Sequence, residues 1–335
     1  MRIGVIGFGV MGKTRLKAVN ALNNDHKVVM ISEIVKLDAA GIDLNGIELT
    51  EDYNKIIENK NIDAVFVCTP NYLLKEIVIK ALNNKKHVFC EKPPGRNLQE
   101  TEEMIKAENN NSGLKLMFGF NHRHHDSMIY AKSLIDSKKF GDVLWMRGRY
   151  GKSVSHNFIH TWRAKKEFAG GGIFLDQGIH MLDLFLMMVG DFNEVKSFVS
   201  NLYWHLDVED NVFAIFKNKK GQVAQLHSTM TQWRHLFSFE IFLEKGHIVI
   251  NGILSNSGAY GREELSAAFN TVSGPDVLWA SEEKVTYNLN TSWENEVKMF
   301  LNSIENDIPV PVGNSKDAYK LMKLLGMVYA EEQYD

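Results

Sequence analysis

The stretch GGGIFLDQGIH, residues 170 to 180, sets Asp176 and His180 four positions apart behind three glycines. A carboxylate and an imidazole one helical turn apart can bind a hydroxyl and take its proton, because imidazole titrates near pH ~6.5. Three adjacent glycines do not belong inside a helix, where each costs about 1 kcal/mol relative to alanine. The residues after them are apolar at helical spacing: Phe174, Leu175, Ile179, Leu182, Leu186 and Val189. The stretch reads as a glycine loop feeding a helix over 173–189, with Asp176 and His180 on one face. Taken alone, such a pair is more simply a capped helix carrying a satisfied core histidine. Its meaning depends on the rest of the chain.

A second glycine pattern, Gly7-Phe8-Gly9-Val10-Met11-Gly12, lies directly after a strand-like run and before a helical one. Gly7 suits the turn, Gly9 lets backbone approach a pyrophosphate, and Gly12 allows close packing of helix on strand. The phosphates would rest on the helix N-terminus, where N–H groups lack internal partners. Glu33, 21 residues beyond Gly12, ends VVMISE. A carboxylate there accepts hydrogen bonds from a ribose diol and repels a 2′-phosphate, so NAD is expected over NADP. Lys36 lies nearby and softens that preference. Ligands of an open parallel sheet lie outside the carboxyl ends of its strands. Thr69, Pro70 and Asn71 in CTPN, and Glu91 and Lys92 in CEKPP, end the third and fourth strand runs and should face the dinucleotide. Lys92 precedes a proline and is held extended. Cys90 reads as a small buried hydrophobe.

These residues need a scaffold. The chain has 335 residues, 44 % hydrophobic and 24 % charged, with a formal charge of -3. That length suits two domains, and that charge gives no reason to expect nucleic acid or a membrane surface as partner. No apolar run approaches the ~18 residues that span a bilayer. No export leader is read at the N-terminus, and Cys68 and Cys90 form no disulfide framework, so a cytoplasmic protein is expected. Strand and helix runs alternate to residue 121, which predicts a doubly wound parallel sheet, a Rossmann domain over 1–121. Residues 122–335 then carry long strands joined by turns such as Lys219-Lys220-Gly221, predicting an α+β domain with a large, open, mostly antiparallel sheet. The C-terminal helix can pack back on the first domain. Phe213, Phe216, Phe239 and Phe242 read as core and subunit interface.

GFGVMG, CTPN, CEKPP and GGGIFLDQGIH, in this order and spacing, resemble the glucose–fructose oxidoreductase/inositol dehydrogenase/MocA family of two-domain sugar dehydrogenases. The resemblance implies a nicotinamide cofactor, a cleft for a sugar, cyclic polyol or nucleotide sugar, and an open sheet that serves oligomerisation as a homodimer or homotetramer. It places the family's lysine on Lys92 and its aspartate and histidine on Asp176 and His180. His180 is then expected to act as general base, Lys92 to polarise the reacting oxygen, and Asp176 to bind a neighbouring hydroxyl or tune the charge of the other two. Leu74 departs from the histidine many relatives carry three residues after the TPN asparagine.

Specificity signals are sparser. Asn121 and Arg123 leave the last Rossmann strand and could point into the cleft, and Trp162 and Arg163 could offer an aromatic face and an anion grip. SGAYGREEL, residues 257 to 265, resembles a loop of relatives that act on nucleotide sugars. His122, His124, His125 and Asp126 cannot all face one ion, so a solvated helix start is expected there and no metal. His156 and His160 fall in a loop. Two other functions share the family's features: a glycosidase that oxidises its substrate transiently with bound NAD, and a non-catalytic dinucleotide sensor. Retention of Lys92, Asp176 and His180 together argues against the sensor.

Overall fold

The structure, a computed structural model, describes residues 1–22, 25–35, 41–269 and 282–331. Lys36 lies outside the described residues. The chain forms two compact units, one of residues 1–121, 167–170 and 293–322, the other of 122–166, 171–292 and the chain from Lys323.

The first unit begins with β1 (Arg2–Ile6), α1 (Val10–Ala21), β2 (Lys27–Ser32), β3 (Glu48–Thr50) and α2 (Asn54–Glu58). It continues with β4 (Ala64–Val67), α3 (Asn71–Asn83), β5 (His87–Glu91), α4 (Leu98–Asn109) and β6 (Leu116–Gly119). All pairs are parallel in the order β3-β2-β1-β4-β5-β6, the doubly wound arrangement of a dinucleotide fold. All four residues of β4 are buried, as its continuous apolar run requires in a sheet covered on both faces. The edge strand β3 adds one element to the sequence reading, since three residues carry no periodicity. CTPN therefore ends β4, and CEKPP ends β5.

Beyond β6 come α5 (Asp126–Asp136), β7 (Val143–Ser153), the single turn α6 (Lys166–Ala169) and α7 (Ile179–Val189). Strands β8 (Glu194–Ser200), β9 (Asn211–Lys217), β10 (Val223–Thr229), β11 (Thr231–Leu243), β12 (Gly246–Asn251), β13 (Glu263–Phe269) and β14 (Glu283–Tyr287) follow. Their sheet runs β14-β13-β12-β11-β7-β10-β9-β8, antiparallel except where β7 meets β10. β9 alternates: Val212, Ala214 and Phe216 are buried, while Phe213 and Ile215 face outward. Phe185 of α7 packs on Phe216 and Phe239, with ring centroids 6.2 and 5.7 Å apart, so α7 covers the inner face. The helical run Lys166–Val189 is long and apolar enough to cross a membrane, which corrects the expectation that no such run exists. Yet 72 % of its apolar window is buried in the protein, as in a core helix.

The last helices are α8 (Ser292–Glu305) and α9 (Ser315–Glu331). Phe300 of α8 meets Phe66 and Phe89 edge-on at 5.7 and 5.6 Å, joining the core of the parallel sheet. The same helix brings Glu296 to Arg15 of α1. Arg15 is wholly buried between the rings of Phe89 and Trp293, and it donates to Glu91 at 2.7 Å and Glu296 at 2.6 Å. Two carboxylates thus share one guanidinium out of water, an arrangement that favours a proton on one of them. Burial, reinforced by the charge on Glu91, pushes Glu296 up to about 7 against the pull of Arg15. A carboxyl raised on folding favours the folded state below its ordinary 4.5 and loses that contribution as pH rises through about 7. At ~1.4 kcal/mol per pH unit the loss is of order 3 kcal/mol. Glu296→Gln should therefore flatten the fall of denaturant-measured stability between pH 5 and 8; an unchanged slope would show that Glu296 does not carry it.

Candidate active site

In the first unit the glycine pattern adopts the geometry its spacing implies. Gly7 turns with φ +86, and a Cβ on Gly12 would sit 2.1 Å from the Gly7 carbonyl oxygen. Gly9 caps α1 with no side-chain hydrogen bond and faces open space, and Val10 beside it is exposed. The N–H groups at this helix end, with room in front of them, fit a dinucleotide pyrophosphate. Phe8 points the other way and is buried in the core, while Met11 is half-buried. Glu33 accepts from the backbone N–H of Phe8 at 2.6 Å and of Val35 at 3.1 Å, so it ties the glycine turn to the end of β2.

At the end of β4, Thr69 and Pro70 lead into α3, with Pro70 as its N-cap. Asn71 donates through its side chain to the Ala169 carbonyl at 2.7 Å. Tyr72 packs on Phe168 at 5.0 Å, and Arg96 donates to the carbonyl of Glu167 at 2.5 Å. Residues 167–169, immediately before the glycine loop, are thus held by other side chains of the same unit. Asn71 serves this clasp, a role its motif does not reveal. Glu91 is held by Arg15, and Lys92 follows it, joined to Pro93 by a cis peptide bond. Cys90 is buried, and burial pushes its thiol well up, the state of an inert packing residue.

In the second unit the glycine loop is anchored by a side chain that sequence reasoning missed. Glu209, buried ahead of β9, accepts from the N–H of Gly172 at 2.7 Å, the N–H of Phe174 at 3.0 Å and the Tyr329 hydroxyl at 2.8 Å. Its own carbonyl accepts from Ile173, and a Cβ on Gly172 would stand 2.1 Å from that oxygen. Only glycine permits this approach. Burial pushes the Glu209 carboxyl up, and its hydrogen-bond donors pull it back. With the helix-end N–H groups taken by a remote carboxylate, the chain does not enter one continuous α-helix as expected. A π-turn over Phe174–Gly178 precedes α7, and the extra residue in that turn leaves Asp176 partly exposed while His180, in the first turn of α7, is buried.

Asp176 forms an ion pair with Lys152 near the end of β7, a second residue the sequence did not flag. His180 stacks on His122, ring centroids 3.9 Å apart and planes 19° from parallel. Here the expectation of a solvated helix start is corrected. Asn121 is buried at the head of a 3-10 turn, and His122, His124 and His125 are buried with it. His122 bonds the Tyr150 hydroxyl at 3.1 Å, and His125 pairs with Glu263 at 2.8 Å. Arg123, expected to reach substrate, instead grips Asp183 of α7 with two nitrogens, one of them 2.7 Å away. A buried guanidinium committed to a carboxylate positions α7. Trp162 and Arg163 share a 3-10 turn in which the exposed guanidinium lies 4.4 Å over the indole. His156–His160 is likewise a 3-10 turn. Tyr260, from SGAYGREEL, donates to Gln177 at 3.0 Å. Among the described residues no group of three His, Cys, Asp or Glu side chains is arranged to hold a metal ion.

Residues 1–120 match a family model described as an oxidoreductase family with an NAD-binding Rossmann fold, and residues 128–249 match the GFO/IDH/MocA C-terminal domain. The chain is 28 % identical over 307 residues to levoglucosan dehydrogenase of Pseudarthrobacter phenanthrenivorans, spanning 80 % of this chain and 76 % of that protein. It is 26 % identical over 338 residues to myo-inositol 2-dehydrogenase of Thermotoga maritima, spanning 97 % and 94 %. A structure of levoglucosan dehydrogenase in complex with NADH and levoglucosan aligns at a TM-score of 0.86 and 24 % identity, covering 99 % of this chain and 97 % of that one. A 3-ketoreductase from Actinomadura kijaniata in complex with NADP and TDP-benzene aligns at 0.82 and 20 %, covering 99 % and 97 %. These likenesses show the same fold. With family models matched on both halves, the chain belongs to the glucose–fructose oxidoreductase/inositol dehydrogenase/MocA family of NAD-dependent oxidoreductases.

Proposed function

We propose that this chain interconverts a secondary alcohol and its ketone on a sugar, cyclic polyol or nucleotide sugar, with His180 as general base in oxidation and general acid in reduction. The observation that carries this reading is one helical entry presenting a buried imidazole at His180 and a partly exposed carboxylate at Asp176, whose charge Lys152 balances. The relatives named for levoglucosan and myo-inositol support the substrate class.

In the oxidising direction the substrate hydroxyl proton passes to an imidazole nitrogen of His180. The Lys92 ammonium hydrogen-bonds that oxygen and stabilises alkoxide charge as it develops. Asp176 accepts from a neighbouring hydroxyl and Lys152 donates to the next oxygen, a donor–acceptor pair suited to vicinal hydroxyls. Bound NAD supplies the hydride acceptor; the protein supplies alignment. Backbone along Gly7–Gly12 and the α1 N-terminus would hold its pyrophosphate, and Glu33 its adenosine ribose. Thr69, Pro70 and Glu91 shape the strand ends beneath it, and Asn71 acts through residues 167–170. Two free thiols fit the reducing cytoplasm. The outward face of the second sheet, with Phe198, Phe213 and Ile215, is the surface we assign to a homodimer or homotetramer.

His180→Ala should lower kcat by ~10²- to 10⁴-fold while the Kd for NAD, read by titration calorimetry, stays within about twofold; equal loss of both would overturn the base assignment. Glu33→Ala should raise kcat/KM with NADP relative to NAD, and a wild type that already prefers NADP would contradict the role given to Glu33. Phe198→Lys with Ile215→Lys should yield monomers by sedimentation velocity, whereas an unchanged oligomer would place the interface elsewhere.

A further inference from the structure

His122 has no part in the chemistry above, yet it is the ring that lies flat on His180. Both imidazoles are buried, with centroids 3.9 Å apart. Two neutral rings stack well at that distance. Two imidazolium cations do not, so a proton on either ring disfavours one on the other. Tyr150 is a polar neighbour of His122: its hydroxyl lies 3.1 Å from Nε2 of His122. The Tyr150 ring meets the Tyr260 ring edge-on at 5.2 Å, and the Tyr260 hydroxyl donates to Oε1 of Gln177 at 3.0 Å. Phe237 packs edge-on against Tyr150 at 5.2 Å and also borders His122 at 6.0 Å.

Several charged groups of this unit near the pair are held in ion pairs. Asp176 of the π-turn faces Lys152 of β7, Arg123 faces Asp183 of α7, and His125 faces Glu263 of β13. Burial holds the Tyr150 and Tyr260 phenols up in their protonated forms, reinforced by the Asp176 charge, and His235 of β11 is held neutral by burial and by Lys152. The two imidazoles are in direct stacking contact, and the His125 ring lies 5.6 Å from His122.

We propose that His122 is a positioning residue for His180: the stacked rings titrate as one coupled pair that holds a single proton, and His122, held by the Tyr150 hydroxyl, orients His180 and keeps it unprotonated at working pH. The activity consequence rests on the role of His180 proposed above. The coupling itself does not.

Two measurements separate them. In wild-type protein labelled with ¹⁵N-histidine, the two rings should titrate in coupled steps separated by about one pH unit or more. Independent single titrations would overturn the proposal whatever His180 does in catalysis. His122→Phe keeps a flat ring but removes the charge and the N–H. The acid limb of its kcat/KM profile should move up by about 0.5 pH unit or more, with KM within about twofold of wild type. An unmoved limb in a folded variant overturns the control of His180 by His122. Full activity in His180→Ala would instead sink the base assignment and leave the NMR result standing.

Discussion

The placement of Asp176 and His180 depends on one buried carboxylate. Glu209 takes the two N–H groups that open the turn after the glycine loop, and its own backbone closes on Gly172 so tightly that no side chain fits between. That contact sets where the π-turn begins, and so it leaves Asp176 partly exposed and His180 inside. An orphan helix end is ordinarily satisfied by a nearby Ser, Thr, Asp or Asn. Here the cap arrives from the approach to β9, and Tyr329 of α9 holds the cap in turn.

The first unit uses charge in the same way. Arg15 lies on α1, the helix whose N-terminus we assign to the dinucleotide, and it binds Glu91, the residue before Lys92. Helix and lysine are therefore referred to one buried guanidinium. Such a triad is poor evidence for stability, because removing charges from water costs as much as their attraction returns. Its service is registration: displacing α1 would break the contact that holds the end of β5.

Much of this was legible in the sequence, for identifiable reasons. The parallel sheet could be read because β1, β4 and β5 are continuous apolar runs with helices between them, and β9 because its alternation is strict. Gly7, Gly9, Gly12 and Glu33 carry fixed spacing, and Lys92, Asp176 and His180 stand in specific motifs. What stayed hidden depends on residues far apart in the chain. Glu209 meets Gly172, Lys152 meets Asp176 and Glu296 meets Arg15 only after folding. NHRHHD looks like a solvated helix start because it is polar, yet Asn121 to His125 are buried, and Tyr150, Asp183 and Glu263 supply polar partners there. A hydropathy pattern cannot anticipate burial that is compensated by hydrogen bonds.

We propose hydride transfer from a carbinol carbon, with His180 as proton acceptor and Lys92 as the donor that polarises the reacting oxygen. The direct measurement is stopped-flow nicotinamide absorbance when the protein–NAD complex meets aldoses, cyclic polyols and nucleotide sugars, each also deuterated at the carbinol position. The account predicts reduced nicotinamide from at least one of them, formed more slowly from its deuterated form, and none when Lys92→Met and His180→Ala are combined. Equal formation by the wild type and the double variant, or none from any compound in the wild type, would contradict it.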